Sequence, residues 1–113
     1  MVRTVDLVVS SHLGACTAAI DALQRGQRVL VVVRSSDVRA GRRLRRCLCR
    51  MARAEGSQVT VITGAEVVCV DGVDGVEAVV IRYVRTGRLC AVNTSAFASD
   101  AESGSVRIQC VIA

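Results

Sequence analysis

The stretch VDLVVSSHLGACTAAIDALQRGQRVLVVVR, residues 5–34, decides the fold. Val5 to Val9 reads as a buried strand whose one polar residue, Asp6, stands near its start. From Leu13 to Arg25 the period changes. Cys16, Ala19, Ile20 and Leu23 recur at helical spacing and make one apolar face. Asp21 and Arg25 form an i,i+4 pair on the other face, and Gly26 is a helix stop. Arg28 to Arg34 is apolar throughout its middle, the pattern of a strand buried on both faces of a parallel sheet. Strand, helix and strand within about thirty residues is the length of a right-handed crossover unit. Residues 4–34 are therefore expected to form a βαβ unit.

Working outward, residues 36–63 read as a second helix and a third strand. Ser36 or Asp37 is the expected cap. Leu44, Cys47, Leu48 and Met51 form the expected inward stripe, Arg46, Arg50 and Arg53 share another face, and Gly56 is the expected end. Val59 to Ile62 is the strand. The pattern then turns antiparallel. AEVVCV (65–70) and VEAVVIRYV (76–84) flank DGVDG, whose two Asp-Gly steps mark a hairpin turn. RTG (85–87) makes the next turn, and RLCAVNTSAF (88–97) completes an expected three-stranded meander over 65–98. A polar loop, SDAESG, precedes a last expected strand within 105–113.

Composition bounds what such a chain can do. Its 113 residues suffice for one domain with a modest core, and 51% hydrophobic content excludes a disordered chain. There is no proline, lysine or tryptophan, and Tyr83 and Phe97 are the only aromatics, so the core must be Val, Ala, Leu and Ile. The net charge of +5 is concentrated in Arg39, Arg42, Arg43, Arg45, Arg46, Arg50 and Arg53. Such a cluster attracts phosphates, but a solvated helix face is the simpler reading. The lack of stacking aromatics and of a recognised motif argues against nucleic acid as a partner.

No signal peptide is evident at the N-terminus. The longest aliphatic run, Val29 to Val33, is far too short to span a bilayer, so a cytoplasmic protein without a membrane partner is expected. The six cysteines, Cys16, Cys47, Cys49, Cys69, Cys90 and Cys110, form no CxxC pair, and Cys47 and Cys49 fall on divergent faces of a helix. No metal site is expected, and most of the thiols read as small buried hydrophobes in a reducing compartment.

The turn after the first strand is where a βαβ unit cradles a dinucleotide pyrophosphate. Its first glycine allows a tight exit from the strand, its second lets the backbone approach the phosphates, and its third lets helix and strand pack closely. Here those places hold Ser10, His12 and Ala15. Alanine is an accepted third residue and serine is tolerable at the first. His12 is the obstacle, because its side chain points at the pyrophosphate or forces the turn open. The imidazole reads either as a solvent-exposed loop residue or as a hydrogen-bond donor to an anion. The second strand ends in Arg34 where a carboxylate would receive a ribose; an arginine there accommodates a 2′-phosphate or simply ends a strand in water. Asp71 and Asp74 read as turn residues rather than an acid–base pair, and no Ser-His-Asp set accompanies the single histidine.

VDLVVSSHLGACTAAIDALQRGQRVLVVVRS (5–35) resembles the N-terminal FAD-binding segment of FAD-dependent oxidoreductases. EGSQVTVITGAEVVCVDGVDGVEAVVIRYVRTGRL (55–89) resembles the later part of the same domain, also found in pyridine-nucleotide-disulfide-reductase-like proteins such as thioredoxin reductases. The resemblance implies an α/β fold: a single Rossmann-like three-layer domain over residues 1–113, with a parallel sheet, two helices and an antiparallel β-meander. It places Ser10, His12, Leu13, Gly14 and Ala15 in the pyrophosphate loop, Arg34 and Ser35 at the ribose, and Val67 where the backbone contacts adenine. The implied cofactor is FAD or NAD(P), with Arg34 tilting the choice toward NADP and the first βαβ unit toward FAD. VRIQCVIA resembles the strand that leads into the family's ATG motif, so a missing flavoprotein domain is one expected partner. The loss of two glycines and of the acid leaves open a second class of function: a non-enzymatic Rossmann-like module for homo-oligomerisation or interaction that has lost its cofactor.

Overall fold

The computed structural model describes residues 3–11 and 17–99. Leu7–Ser11 (β2), Val29–Val33 (β3) and Val59–Thr63 (β4) form a parallel sheet, with Thr17–Gln24 (α1) and Val38–Ala52 (α2) as the crossovers. All five residues of β3 are buried, and their alternation explains why. Val29, Val31 and Val33 pack with Leu7 and Val9 against Ala19, Ala22 and Leu23 of α1 and Leu48 of α2. Leu30 and Val32 point to the other face with Val8, against Ala65, Val67, Val79, Ile81 and Val92. That second layer is the meander of Ala65–Asp71 (β5), Ala78–Tyr83 (β6) and Leu89–Asn93 (β7). Helices, parallel sheet and meander are the three layers the sequence implies. Each fully buried Val or Leu contributes roughly 1.5–3 kcal/mol, which makes β3 the strand that holds both cores together.

Several boundaries differ from the sequence reading. The first parallel strand runs Leu7–Ser11 rather than Val5–Val9, and ahead of it Arg3–Thr4 (β1) pairs in parallel with β7 and so belongs to the meander sheet. Asp6 lies between the two sheets, and its carboxylate accepts a 2.8 Å hydrogen bond from the Arg28 backbone N–H. The meander ends at Asn93 rather than 98. Phe97–Ser99 (β8) crosses to the parallel sheet and pairs with β2, giving the order β4-β3-β2-β8. The hydroxyl of Thr94, a buried polar residue, donates to the Ala96 carbonyl at 3.1 Å within that crossing. The expected strand at 105–113 lies outside the described residues.

The second helix is capped by Asp37, whose carboxylate accepts from Arg39 N at 3.0 Å and Ala40 N at 3.3 Å. Its buried positions are Gly41, Leu48 and Ala52, with Leu44 partly buried beside them. Cys47 and Met51 are exposed and touch each other, correcting the expected stripe. The helix ends at Ala52 with Arg53 in the left-handed conformation, φ 53°, and Gly56 opens a short 3-10 turn instead of closing the helix. Arg45 leaves the basic face; its guanidinium donates to the carbonyls of Val59 at 3.0 Å and Gly56 at 2.5 Å, tying α2 to the start of β4. Gly41 permits the close approach of α2 to β4, since a Cβ there would meet Thr63 Cγ2 at 2.5 Å. Among the described cysteines only Cys69 is buried, so the sequence reading overstated thiol burial.

Candidate functional site

The parallel sheet has a switch point. From β2 the chain proceeds through β3 to β4 on one side, then returns to β8 on the other. In open α/β sheets the crevice outside the carboxyl ends of the strands at such a point is the ligand-binding position. Register fixes which residues stand there. Ser10 is opposite Val32 of β3 and Ser99 of β8, and Ser11 is opposite Val33. Ser10 is half-buried. His12, Leu13, Gly14 and Ala15, which follow directly, lie outside the described residues.

Arg34 follows β3 directly, one position beyond the Ser11–Val33 pair. Its side chain is 68% exposed, and its Nε lies 3.8 Å from Glu66 Oε2. The sequence left Arg34 between a phosphate ligand and a strand end in water; the structure gives it an acidic neighbour. Glu66 also accepts a hydrogen bond from Arg82, the cross-strand partner of Glu66 on β6. The Arg82 hydrogen bond, aided by the charges of Arg82 and Arg34, holds the Glu66 carboxyl below its ordinary range against the opposing effect of desolvation.

Ser35 lines the same edge. Its carbonyl accepts a 2.8 Å hydrogen bond from Gly64 N, and its hydroxyl accepts from Asp37 N at 3.3 Å. Val67 stands one residue past Glu66, but its side chain is buried between the parallel sheet and the meander. The ladder slips in register between Val67 and Cys69. The structure thus brings Arg34 and Ser35 together with Glu66 near the carboxyl edge, with Ser10 on the next strand. Sequence reasoning missed Glu66. The signal was present in AEVVCVD, where period-two alternation sets Glu66 opposite in sense to its buried neighbours Ala65 and Val67.

Elsewhere the chemistry is sparse. Among the described residues no cluster of His, Cys, Asp or Glu could hold a metal ion. Among them, too, no helix is long and apolar enough to cross a membrane. Arg39, Arg42, Arg43, Arg46, Arg50 and Arg53 are all exposed.

No protein-family model matches the chain, and no curated protein matches it either. Solved structures do match. A myxobacterial chondrochloren halogenase, a variant of FAD-dependent halogenases, aligns over 93% of this chain and 39% of its own, with TM-score 0.64 and 15% identity. Thioredoxin reductase from Streptococcus pyogenes aligns over 87% of this chain and 31% of its own, with TM-score 0.58 and 25% identity. A flavin-dependent monooxygenase solved with FAD and substrate aligns over 83% of this chain and 29% of its own, with TM-score 0.58 and 14% identity. The chain therefore spans well under half the length of the solved proteins it matches, and what it shares with them is the FAD/NAD(P)-binding oxidoreductase-like fold.

Proposed function

We propose that this chain is the dinucleotide-binding domain of a flavin-dependent oxidoreductase and that it takes FAD at the carboxyl edge of β2 and β3. The observation that carries the reading is the Arg34–Glu66 pair at the end of β3. The ribose position, which in sequence lacks an acid, acquires a carboxylate from β5. An ionised carboxylate accepts hydrogen bonds from vicinal hydroxyls. The groups there suit a ribose: a carboxylate that accepts, a guanidinium that donates and the Ser35 backbone. Glu66 and Ser35 would hold the ribose, Arg34 would face its phosphate side, and the Val67 backbone would run beside adenine. Ser10, His12, Leu13, Gly14 and Ala15 would meet the pyrophosphate. Because Arg34 is already partnered by Glu66, FAD is favoured over NADP, whose 2′-phosphate would lie against the Glu66 carboxylate. When bound, the flavin supplies hydride and electron transfer; the domain binds and orients it, and further segments complete the reaction.

The test is flavin content and thermal shift. Purified protein should show the visible absorption of flavin or gain melting temperature with FAD. A colourless protein unshifted by FAD, NADH or NADPH would sink the proposal. His12→Gly should strengthen FAD binding if the imidazole obstructs the turn. Loss of binding in that variant would instead make His12 a ligand.

A further inference from the structure

We infer that the outward face of α2 binds double-stranded DNA through its phosphates. Helical spacing builds that face. Arg39, Arg42, Arg43, Arg46 and Arg50 are exposed. At 3.6 residues per turn they fall within an arc of about 100°, and at 1.5 Å per residue they extend over about 16 Å. The arc lies opposite Gly41, Leu48 and Ala52, the positions that α2 buries. Arg53, at the cap, lengthens the stripe.

The face is unbalanced within the chain. α2 contains no acidic residue. Ion pairs among the described residues involve only Arg25, Arg34 and Arg82, so none of the six guanidiniums has an acidic partner there. Arg39 and Arg43, Arg42 and Arg46, and Arg46 and Arg50 stand four apart, so like charges adjoin along the face and weaken the helix. A helix face that merely meets water carries both signs. A polyanion relieves the repulsion.

Shape selects the polyanion. Arg42 stands on one flank of the arc and Arg43 and Arg50 on the other, so charge covers both sides of a convex ridge. The DNA major groove, about 12 Å wide, receives a helix of about 10–12 Å between two phosphate walls, whereas a flat anionic bilayer meets the crest alone. The exposed Val38 and Met51 fall outside the arc, so the crest offers a bilayer no apolar side chain. Guanidiniums pair bidentately with phosphate. Stacking aromatics, which the chain lacks, serve unpaired bases; a duplex is held through phosphate charge without them. The face is also separate from the Arg34–Glu66 edge. α2 starts there at its Asp37 cap and returns to the start of β4, where Arg45 donates to the Val59 carbonyl. Arg46, Arg50 and Arg53 therefore occupy the far half of the helix.

The experiment is fluorescence anisotropy of the full chain with a labelled mixed-sequence DNA duplex at several salt concentrations. The same single strand and phosphatidylserine vesicles are measured beside it. The duplex should bind with a slope of log affinity against log salt of about −4 to −5, the value for about five neutralised phosphates. Arg46→Gln/Arg50→Gln should weaken binding by about tenfold or more and flatten the slope by about two. Arg85→Gln/Arg88→Gln removes the same charge from the β6–β7 hairpin and should leave the slope unchanged. Arg46→Gln/Arg50→Gln should melt no lower than wild type, because it removes like-charge neighbours. If it does melt lower, Arg50→Gln alone, expected to flatten the slope by about one, carries the test. Four outcomes overturn the inference: no duplex binding at low salt, equal weakening by the two double variants, binding of the single strand or the vesicles as tight as that of the duplex, or displacement of the duplex by FAD. Failure of the chain to take FAD leaves duplex binding in place, so the two proposals fail separately.

Discussion

Arg34 Nε stands 3.8 Å from Glu66 Oε2, joining the end of one parallel strand to the start of the meander. With Arg82 on the other side, Glu66 keeps its carboxylate at a lower pH than an isolated glutamate does. A depressed folded-state pKa contributes stability that is present above the unfolded pKa and lost as pH falls through the folded one. The wild type should therefore lose this contribution on acidification below the ordinary glutamate range. Glu66→Gln should show a flatter dependence of melting temperature on pH there. Parallel curves for the two proteins would refute the linkage.

The Asp37 carboxylate caps α2 through two backbone N–H groups. Asp37→Ala should cost about 1 kcal/mol in urea unfolding, and Asp37→Asn much less, because asparagine caps comparably. Equal losses would show that the aspartate charge matters rather than its hydrogen bonds.

Gly41 faces Thr63 at a distance no ordinary Cβ contact tolerates. Gly41→Ala should destabilise by about 1–3 kcal/mol through overpacking, despite alanine's better helix propensity. Adding Thr63→Ser removes the clashing methyl and should recover much of the loss. A stabilised Gly41→Ala protein would contradict the packing described.

Leu48 is 1% exposed and Met51 is 52% exposed, although both occupy the apolar spacing of α2. Leu48→Ala should cost about 2–5 kcal/mol, whereas Met51→Ala should stay within about 0.5 kcal/mol of wild type. Comparable losses at both positions would rotate the helix from the orientation found.

Much of the architecture was legible from residues 5–34. A continuous run of valines between two turn signals can only be buried on both faces, and β3 is. A cap at Ser36 or Asp37 was legible because the capping chemistry is local, and the structure selects Asp37. The face of α2 was harder to read. Leu44 and Leu48 do turn inward, but Cys47 and Met51 sit at the margin of the apolar arc, and Gly41 and Ala52, too small to register as hydrophobic signals, take the close contacts instead. The end of the meander was misplaced because Phe97 and Ala98 suit a strand in either sheet; the neighbour decides.

The sequence by itself determined the alternation of strands and helices, the two layers flanking β3 and the absence of a glycine-rich phosphate turn, because each follows from local period and residue type. Only the tertiary structure decided that β8 returns beside β2 and that Glu66 meets Arg34. Both depend on contacts between residues far apart in the chain, where a carboxylate's partner is set by how two sheets stack rather than by its neighbours in sequence.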